Sequence, residues 1–200
     1  ENLVFGYDLG DVSNSYKGEP TINLLYSAGA YNLEDGATDI YGNVTKTDLG
    51  NGKYRFVNDG TGVTTIRIYT NEADLIDGET YAVSVYYEDL IGTISIDWCD
   101  QTVTGNASST EVSGRLSGTA FRSSYTNPFY FLDVGLTNGG SVTIYNPQVE
   151  HKSHVTPFVR GTRSATEGLK DLTGNSTLDL TNVSFDSNAQ VDFDGSSDYV

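Results

Sequence analysis

Three predicted strands carry polar and aromatic residues at alternate positions. These residues are Arg67, Tyr69, Tyr86, Glu88 and Asp97. Because successive side chains of a strand point to opposite faces, we expect all five to lie together on one outward sheet face. A saccharide offers apolar ring faces and a rim of hydroxyls, which aromatic and hydrogen-bonding side chains recognise. The five residues are therefore the candidate carbohydrate-binding site; the alternative is that the tyrosines only cover the sheet or face a neighbouring subunit.

Glu88 and Asp97 also raise the question of glycoside hydrolysis. That reaction needs two acids about 5 to 10 Å apart across a sugar cleft, and neighbouring strands satisfy such a spacing. Pairs of acids are common on sheet surfaces, however, and the sequence contains neither a Gly-x-Ser-x-Gly nucleophile elbow nor a phosphate-binding glycine loop. We expect a binding protein and not an enzyme.

Histidine and cysteine give little support for a metal or redox site. His151 and His154 are three residues apart, but no cysteine or second histidine pair accompanies them, so exposed linker histidines are expected. Cys99 is the single cysteine and cannot form an internal disulfide. Its apolar surroundings predict a buried core residue.

The elements that position these residues are short strands separated by turns. Strands are predicted at residues 53–58, 64–70, 80–88, 93–99, 115–122, 129–134 and 141–145. Dipeptides such as Asn51-Gly52 and Asp77-Gly78 between them are typical of tight turns. Alternation places Ile66, Val83 and Ile96, together with Trp98, on the core side. Strands at this spacing predict an antiparallel β-sandwich of the jelly-roll or immunoglobulin type.

Composition limits the class of protein. The 200 residues are 37% hydrophobic and 12% aromatic, which favours a folded domain over a disordered one. A formal charge of −16, from 27 acidic and 11 basic residues, disfavours nucleic acid and anionic membranes as partners. No apolar run reaches the length of a membrane-spanning helix, so no membrane insertion is expected.

Two blocks carry a resemblance to known families. Residues 144–150 (Ile-Tyr-Asn-Pro-Gln-Val-Glu) and 156–164 (Thr-Pro-Phe-Val-Arg-Gly-Thr-Arg-Ser) resemble the closing strand and exit linker of carbohydrate-binding-module-like jelly rolls in bacteriophage tail-fibre and virion appendage proteins. Residues 171–175, 180–185 and 191–200 resemble the start of laminin-G-like, concanavalin-type lectin domains. Residues 3–8 and 13–16 look like the strand and loop that precede this start in that family.

The resemblance implies an all-β chain in which one domain is inserted in another. Residues 1–19 form the first strand and loop of the lectin-like domain, residues 20–162 the antiparallel jelly-roll sandwich, and residues 163–200 the continuation of the lectin-like domain, which remains incomplete at residue 200. The strand at residues 3–7 is then expected to pair with the C-terminal segment.

The resemblance also implies a function. It predicts a non-enzymatic virion structural and attachment protein of a tailed phage, located at the virion surface or extracellularly. The expected partners are other virion proteins, further copies of the chain in a homo-oligomer, and cell-surface polysaccharide. No cofactor is expected except a structural calcium ion, for which Asp11, Glu19 and Glu150 offer oxygen ligands. The alternative is an accessory carbohydrate-binding region of a secreted microbial glycoside hydrolase or adhesin.

Overall fold

A computed structural model describes residues 6–8, 14–27, 30, 33–34, 39–60, 62, 64–71, 74–97, 103–123, 130–186 and 191–192, with the side chains of all these except 39, 41, 97 and 130–135. The chain divides into two compact units. The inserted unit is Asn23–Gly161, and the split unit consists of Glu1–Ile22 and Thr162–Val200. The lectin-like identity of the split unit stays a prediction.

The described residues form short β-strands and one turn of 3₁₀ helix, Leu24–Tyr26. The strands are β1 (Thr21–Ile22), β2 (Asp39–Tyr41), β3 (Val44–Gly50), β4 (Lys53–Asn58), β5 (Thr64–Tyr69), β6 (Thr80–Ile91), β7 (Ile94–Asp97), β8 (Thr104–Asn106), β9 (Ser108–Ser109), β10 (Gly114–Phe121), β11 (Tyr130–Leu136), β12 (Ser141–Glu150), β13 (Thr162–Arg163), β14 (Ser184–Phe185) and β15 (Val191–Asp192).

The inserted unit is an antiparallel β-sandwich of the jelly-roll class. One sheet has six strands in the order β3-β4-β12-β6-β10-β8, and the other has five in the order β2-β5-β11-β7-β9. Buried apolar residues of both sheets form one core. The predicted all-β sandwich is confirmed.

The alternation read from the sequence sets which side chains form that core. Ile66 and Ile68 of β5, Val83 and Val85 of β6, and Ile96 of β7 are at most 1% exposed. Burying side chains of this size stabilises the fold by about 1.5–3 kcal/mol each. The predicted inward faces of these strands are confirmed, whereas Trp98 and Cys99 lie outside the described residues.

Bulges interrupt β6 and β12 where the two strands pair. The register shifts between Ser141 and Thr143 and again between Tyr145 and Gln148. Asp89 and Asn146 lie within these irregular segments and have positive φ angles of 54° and 51°. A bulge bends its strand and increases the local twist, so the sheet curves on both sides of Tyr145.

The strand β12 is longer than the sequence predicts, because it continues through the second bulge. The sequence predicts a strand that stops at Tyr145, but β12 continues through Asn146 and Pro147 to Glu150. Proline is tolerated in a strand at a bulge because no ladder hydrogen bond is needed from its nitrogen. The buried side chain of Asn23 donates to the Pro147 carbonyl at 3.0 Å and accepts from the Val149 amide at 3.1 Å.

The split unit has a small core of its own, formed by Leu169, Leu180 and Val183. Two short antiparallel pairs, β1 with β13 and β14 with β15, belong to it. Gly6, the first described residue of the predicted N-terminal strand, donates to Asp171 Oδ1 at 2.7 Å and accepts from the Leu172 amide at 2.7 Å. Gly6 therefore contacts the C-terminal segment, but residues 6–8 form no strand and residues 3–5 lie outside the described residues, so the predicted strand pairing stays a prediction.

Candidate functional site

The five predicted site residues lie on two different sheets. Arg67 and Tyr69 of β5 and Asp97 of β7 belong to the five-stranded sheet, whereas Tyr86 and Glu88 of β6 belong to the six-stranded sheet. The outward faces of the two sheets of a sandwich point away from each other, because the core lies between them. The prediction of one shared face is therefore wrong. Alternation shows which face of a strand is buried, but not which sheet the strand joins.

On the five-stranded sheet the structure brings three of these residues to one region. Asp133 of β11 is opposite Arg67 of β5 on one side and opposite Asp97 of β7 on the other. Arg67 and Asp97 are thus two strands apart, which corresponds to about 10 Å. Tyr69 follows Arg67 on the same strand face. Carbohydrate binding by these three residues stays a prediction.

On the six-stranded sheet four adjacent strands carry a row of basic and aromatic side chains. Tyr145 of β12 is opposite Tyr86 of β6, which is opposite Arg115 of β10. The tyrosine rings stack with centroids 5.6 Å apart and an interplanar angle of 26°. Lys53 Nζ of β4 lies 4.5 Å from the centroid of the Tyr145 ring, and Arg115 Cζ lies 4.9 Å from that of Tyr86.

The order of the strands shows which parts of these rings are accessible. Tyr145 stands between Lys53 and Tyr86, and Tyr86 stands between Tyr145 and Arg115. Both faces of each ring are therefore in contact with a neighbour, and a ligand is left with the ring edges. Each stacking or cation–π contact stabilises the row by about 0.5–1.5 kcal/mol. The row is a preorganised surface and not a pair of open ring platforms.

A row of charged side chains lies beside this basic and aromatic row. Lys53 Nζ donates to Glu88 Oε1 at 2.6 Å, and Arg55 Nη1 is 3.9 Å from Asp89 Oδ2. Hydrogen bonding to Glu88 is the main cause that raises the pKa of Lys53, and burial opposes it. Because each basic group on this row is matched by an acid, the charged edge of the site is close to neutral.

Members of both rows line an open depression of about 570 Å³. Its lining residues are Tyr86, Tyr87, Glu88, Asp89, Val112, Ser113, Gly114, Arg115 and Tyr145. Val112 is 66% exposed and supplies apolar surface at the rim. The curvature at the bulges of β6 and β12 accounts for a concavity at this point of the sheet.

The segment that follows β12 fixes Arg115. Arg115 Nη2 donates to Ser84 Oγ at 2.8 Å and to the Thr156 carbonyl at 2.7 Å. Burial lowers the pKa of Arg115, and nearby Tyr86 and Glu150 oppose this shift. Both carboxylate oxygens of the buried Glu150 accept hydrogen bonds from Thr156. Thr156 thus lies against the sheet and holds the guanidinium in place.

The calcium site expected from the sequence is not tested by the described part of the chain. Within it no group of three or more His, Cys, Asp or Glu side chains is arranged to hold a metal ion. His151 is exposed, stacks on Tyr81 with centroids 5.0 Å apart, and has Nε2 3.4 Å from Glu79. Asp11, one of the expected calcium ligands, lies outside the described residues, and calcium binding stays a prediction. None of the described helices is long and apolar enough to cross a membrane.

Sequence reasoning missed three members of the aromatic and basic row. Lys53, Tyr145 and Arg115 lie on strands that were predicted, and alternation alone identifies each as outward. The buried Val142 and Ile144 leave Thr143 and Tyr145 on the outer face, for example. The missing information was the strand order, which places β4, β12, β6 and β10 side by side.

The sequence matches no protein-family model and no curated protein. Solved structures similar to the chain include the C-terminal family 22 carbohydrate-binding module of Clostridium thermocellum Xyn10B, with 14% identity, 70% of this chain and 96% of that chain covered, and a TM-score of 0.42. A family 29 module in complex with mannohexaose has 15% identity, coverages of 66% and 89%, and a TM-score of 0.39. A CBM4 structure has 12% identity, coverages of 74% and 100%, and a TM-score of 0.38. Identities and TM-scores this low assign neither a ligand nor a site to this chain.

Proposed function

We propose that the inserted unit is a non-enzymatic glycan-binding module whose binding site is the depression beside Tyr86 and Tyr145. The observation that carries the proposal is the row of Lys53, Tyr145, Tyr86 and Arg115, held rigid by stacking and by hydrogen bonds at the border of an open concavity. Rigid aromatic and arginine side chains lose little entropy when they bind, which makes them effective contact residues.

The contacts proposed for the ligand follow from the parts of the site that are accessible. Sugar hydroxyls bond to the tyrosine hydroxyls and to the carboxylates of Glu88 and Asp89, all of which border the depression. Sugar C–H groups lie against the exposed side chain of Val112 and the ring edges. Stacking of a sugar on a tyrosine face requires Lys53 or Arg115 to move away.

We propose that the module is not catalytic because of where its acidic side chains lie. Glu88 forms a 2.6 Å ion pair with Lys53, and Asp97, its predicted partner for glycoside hydrolysis, is on a strand of the other sheet. An acid pair across one cleft needs both carboxyls to face the same sugar. Asp89 also borders the depression, but each of the two acids there has a basic neighbour, Lys53 at 2.6 Å from Glu88 and Arg55 at 3.9 Å from Asp89, so we propose binding without turnover.

For the biological role we propose a virion structural and attachment part of a tailed phage, at the virion surface or extracellular, with other virion proteins and cell-surface polysaccharide as partners. The support is the resemblance of residues 144–150 and 156–164 to virion appendage jelly rolls. The alternative is an accessory carbohydrate-binding region of a secreted glycoside hydrolase or adhesin. Binding to purified bacterial surface polysaccharides favours the first role, and binding only to storage or structural polysaccharides favours the second.

The site is tested by glycan-array and whole-cell binding of the 200-residue protein and of single variants. Tyr86→Ala is expected to weaken binding about tenfold or more, as is typical of a central contact residue. Tyr69→Ala is the matched control, because Tyr69 is a half-buried, outward tyrosine of the opposite sheet. Loss of binding with Tyr69→Ala alone moves the site to the five-stranded sheet, and unchanged binding of both variants refutes the proposal.

Folding must be measured beside binding. Tyr86 faces outward, but its ring contacts Tyr145 and Arg115. A loss of about 1–2 kcal/mol is therefore expected from these two contacts. Tyr86→Phe keeps both contacts and removes only the hydroxyl, so weaker binding of this variant at wild-type stability isolates the role of the hydroxyl.

A further inference from the structure

The six-stranded sheet ends in a long edge strand, β3. It spans seven residues, Val44–Gly50, whereas the other edge strands of the two described sheets, β8, β2 and β9, have three, three and two. Within the described residues β3 pairs only with β4. Short edges limit association between sheets, and a long edge offers a row of backbone donors and acceptors to another strand.

We propose that β3 pairs with β3 of a second copy in an antiparallel, two-fold arrangement centred on Thr47. The strand reads Val-Thr-Lys-Thr-Asp-Leu-Gly from Val44 to Gly50. Centring the two-fold axis on Thr47 places Lys46 opposite Asp48 of the second copy, and Asp48 opposite Lys46. Residues directly opposite in an antiparallel pair share a sheet face, so the pairing makes two identical ion pairs.

The present contacts of these two side chains are compatible with the pairing. Lys46 Nζ donates to the Leu33 carbonyl at 2.7 Å and lies 4.7 Å from the centroid of the Tyr54 ring. Asp48 Oδ1 accepts from the Gly50 amide at 2.7 Å. An ammonium has three donors and a carboxylate about four acceptor positions, so each of these groups can make more than one contact at a time.

The two-fold pairing has a consequence for the proposed glycan site, and this step rests on that proposal. The two six-stranded sheets become one continuous sheet, so both depressions face the same side. β12 of one copy is separated from β12 of the other by five strand spacings, or about 24 Å. A polysaccharide that spans this distance binds both copies, and the effective concentration at the second site raises the overall affinity.

Sedimentation equilibrium of the full 200-residue chain tests the pairing without any glycan. Wild-type protein is expected to dimerise, and Lys46→Asp and Asp48→Lys are each expected to weaken the dimer at least about tenfold, because two attractive pairs become repulsive at once. Thr45→Lys on the same strand adds a charge that is not part of the two ion pairs, and is the control for charge alone.

Mixing the two single variants gives the decisive measurement. A Lys46→Asp chain and an Asp48→Lys chain restore both opposite-charge pairs when they meet, so the mixture is expected to form a heterodimer that is at least about tenfold tighter than the homodimer of either variant. Circular dichroism of each variant establishes that it is folded. A wild-type protein that is monomeric up to millimolar concentration, or a dimer that neither variant weakens, overturns the proposal, as does a mixture of folded variants that does not associate.

Discussion

Replacing Asn23 by alanine is expected to destabilise the inserted unit by about 3–5 kcal/mol. Asn23 is fully buried, and its Nδ2 donates to the carbonyls of Pro147 and Val159, each at 3.0 Å. Its Oδ1 accepts from the amides of Leu25 at 3.2 Å and Val149 at 3.1 Å. Alanine leaves these four backbone groups without this partner at once, and each unsatisfied buried group costs about 1–3 kcal/mol. Partial relaxation keeps the total at the upper end of single-substitution effects.

Denaturant unfolding, monitored by tryptophan fluorescence, measures this loss of stability in the inserted unit. Trp98 is the single tryptophan and belongs to the inserted unit. The control is Asn106→Ala, which removes one exposed hydrogen bond from Nδ2 to the Arg115 carbonyl and is expected to cost about 0.5–1 kcal/mol. A loss of less than about 1 kcal/mol for Asn23→Ala refutes the role given to this side chain.

Asn23→Asp separates the donors from the acceptors of the same side chain. The carboxylate keeps both bonds to the Leu25 and Val149 amides but faces two carbonyls that it cannot satisfy. The folded protein therefore favours the protonated acid, and the pKa of the introduced group rises above its unfolded value of about 3.9. A group with a raised pKa stabilises the fold below the unfolded pKa and loses that contribution as the pH rises. Asn23→Asp is expected to be most stable at acidic pH, relative to wild type.

Three further predictions address the core, the split unit and a close strand contact. Phe56→Ala is expected to cost about 3–5 kcal/mol in denaturant unfolding, because Phe56 is fully buried between the sheets. Burial would raise the pKa of Asp171, but hydrogen bonds from Thr173, Gly6 and Ser176 lower it well below its usual range. Asp171→Asn is therefore expected to speed hydrogen exchange at the Gly6 amide at neutral pH. The difference from wild type is expected to shrink as the pH falls below about 4, because the unfolded carboxylate then binds a proton. Gly118→Ala is expected to weaken the pairing of β8 with β10, because a Cβ there would lie 2.5 Å from the Thr104 carbonyl oxygen. Faster amide hydrogen exchange at residues 104–106 would show this weakening.

Sequence alone could predict the parts of the fold that depend on local alternation. The predicted strand at residues 53–58 coincides with β4, and the inward Ile66, Val83 and Ile96 are buried as expected. These strands carry one apolar and one polar face, so period-two alternation identifies them. β3 was missed because five of its seven residues are exposed and its sequence has no apolar face. An edge strand such as β3 forms through hydrogen bonds to the backbone of its neighbour more than through burial of its own side chains.

The candidate site shows why local patterns are insufficient. Its basic and aromatic row joins residues from positions 53, 86, 115 and 145, and their proximity depends on β12 lying between β4 and β6. No property of any one of these strands encodes that order, which results from how the two sheets share a single core. Tyr86 was predicted to face outward and does so, yet its stacking partner follows it by 59 residues and lies next to an Asn-Pro bulge. The bulge is in turn held by the buried Asn23, which bonds to the Pro147 carbonyl and to the Val149 amide. The site and the stability of the inserted unit therefore depend on the same few polar residues.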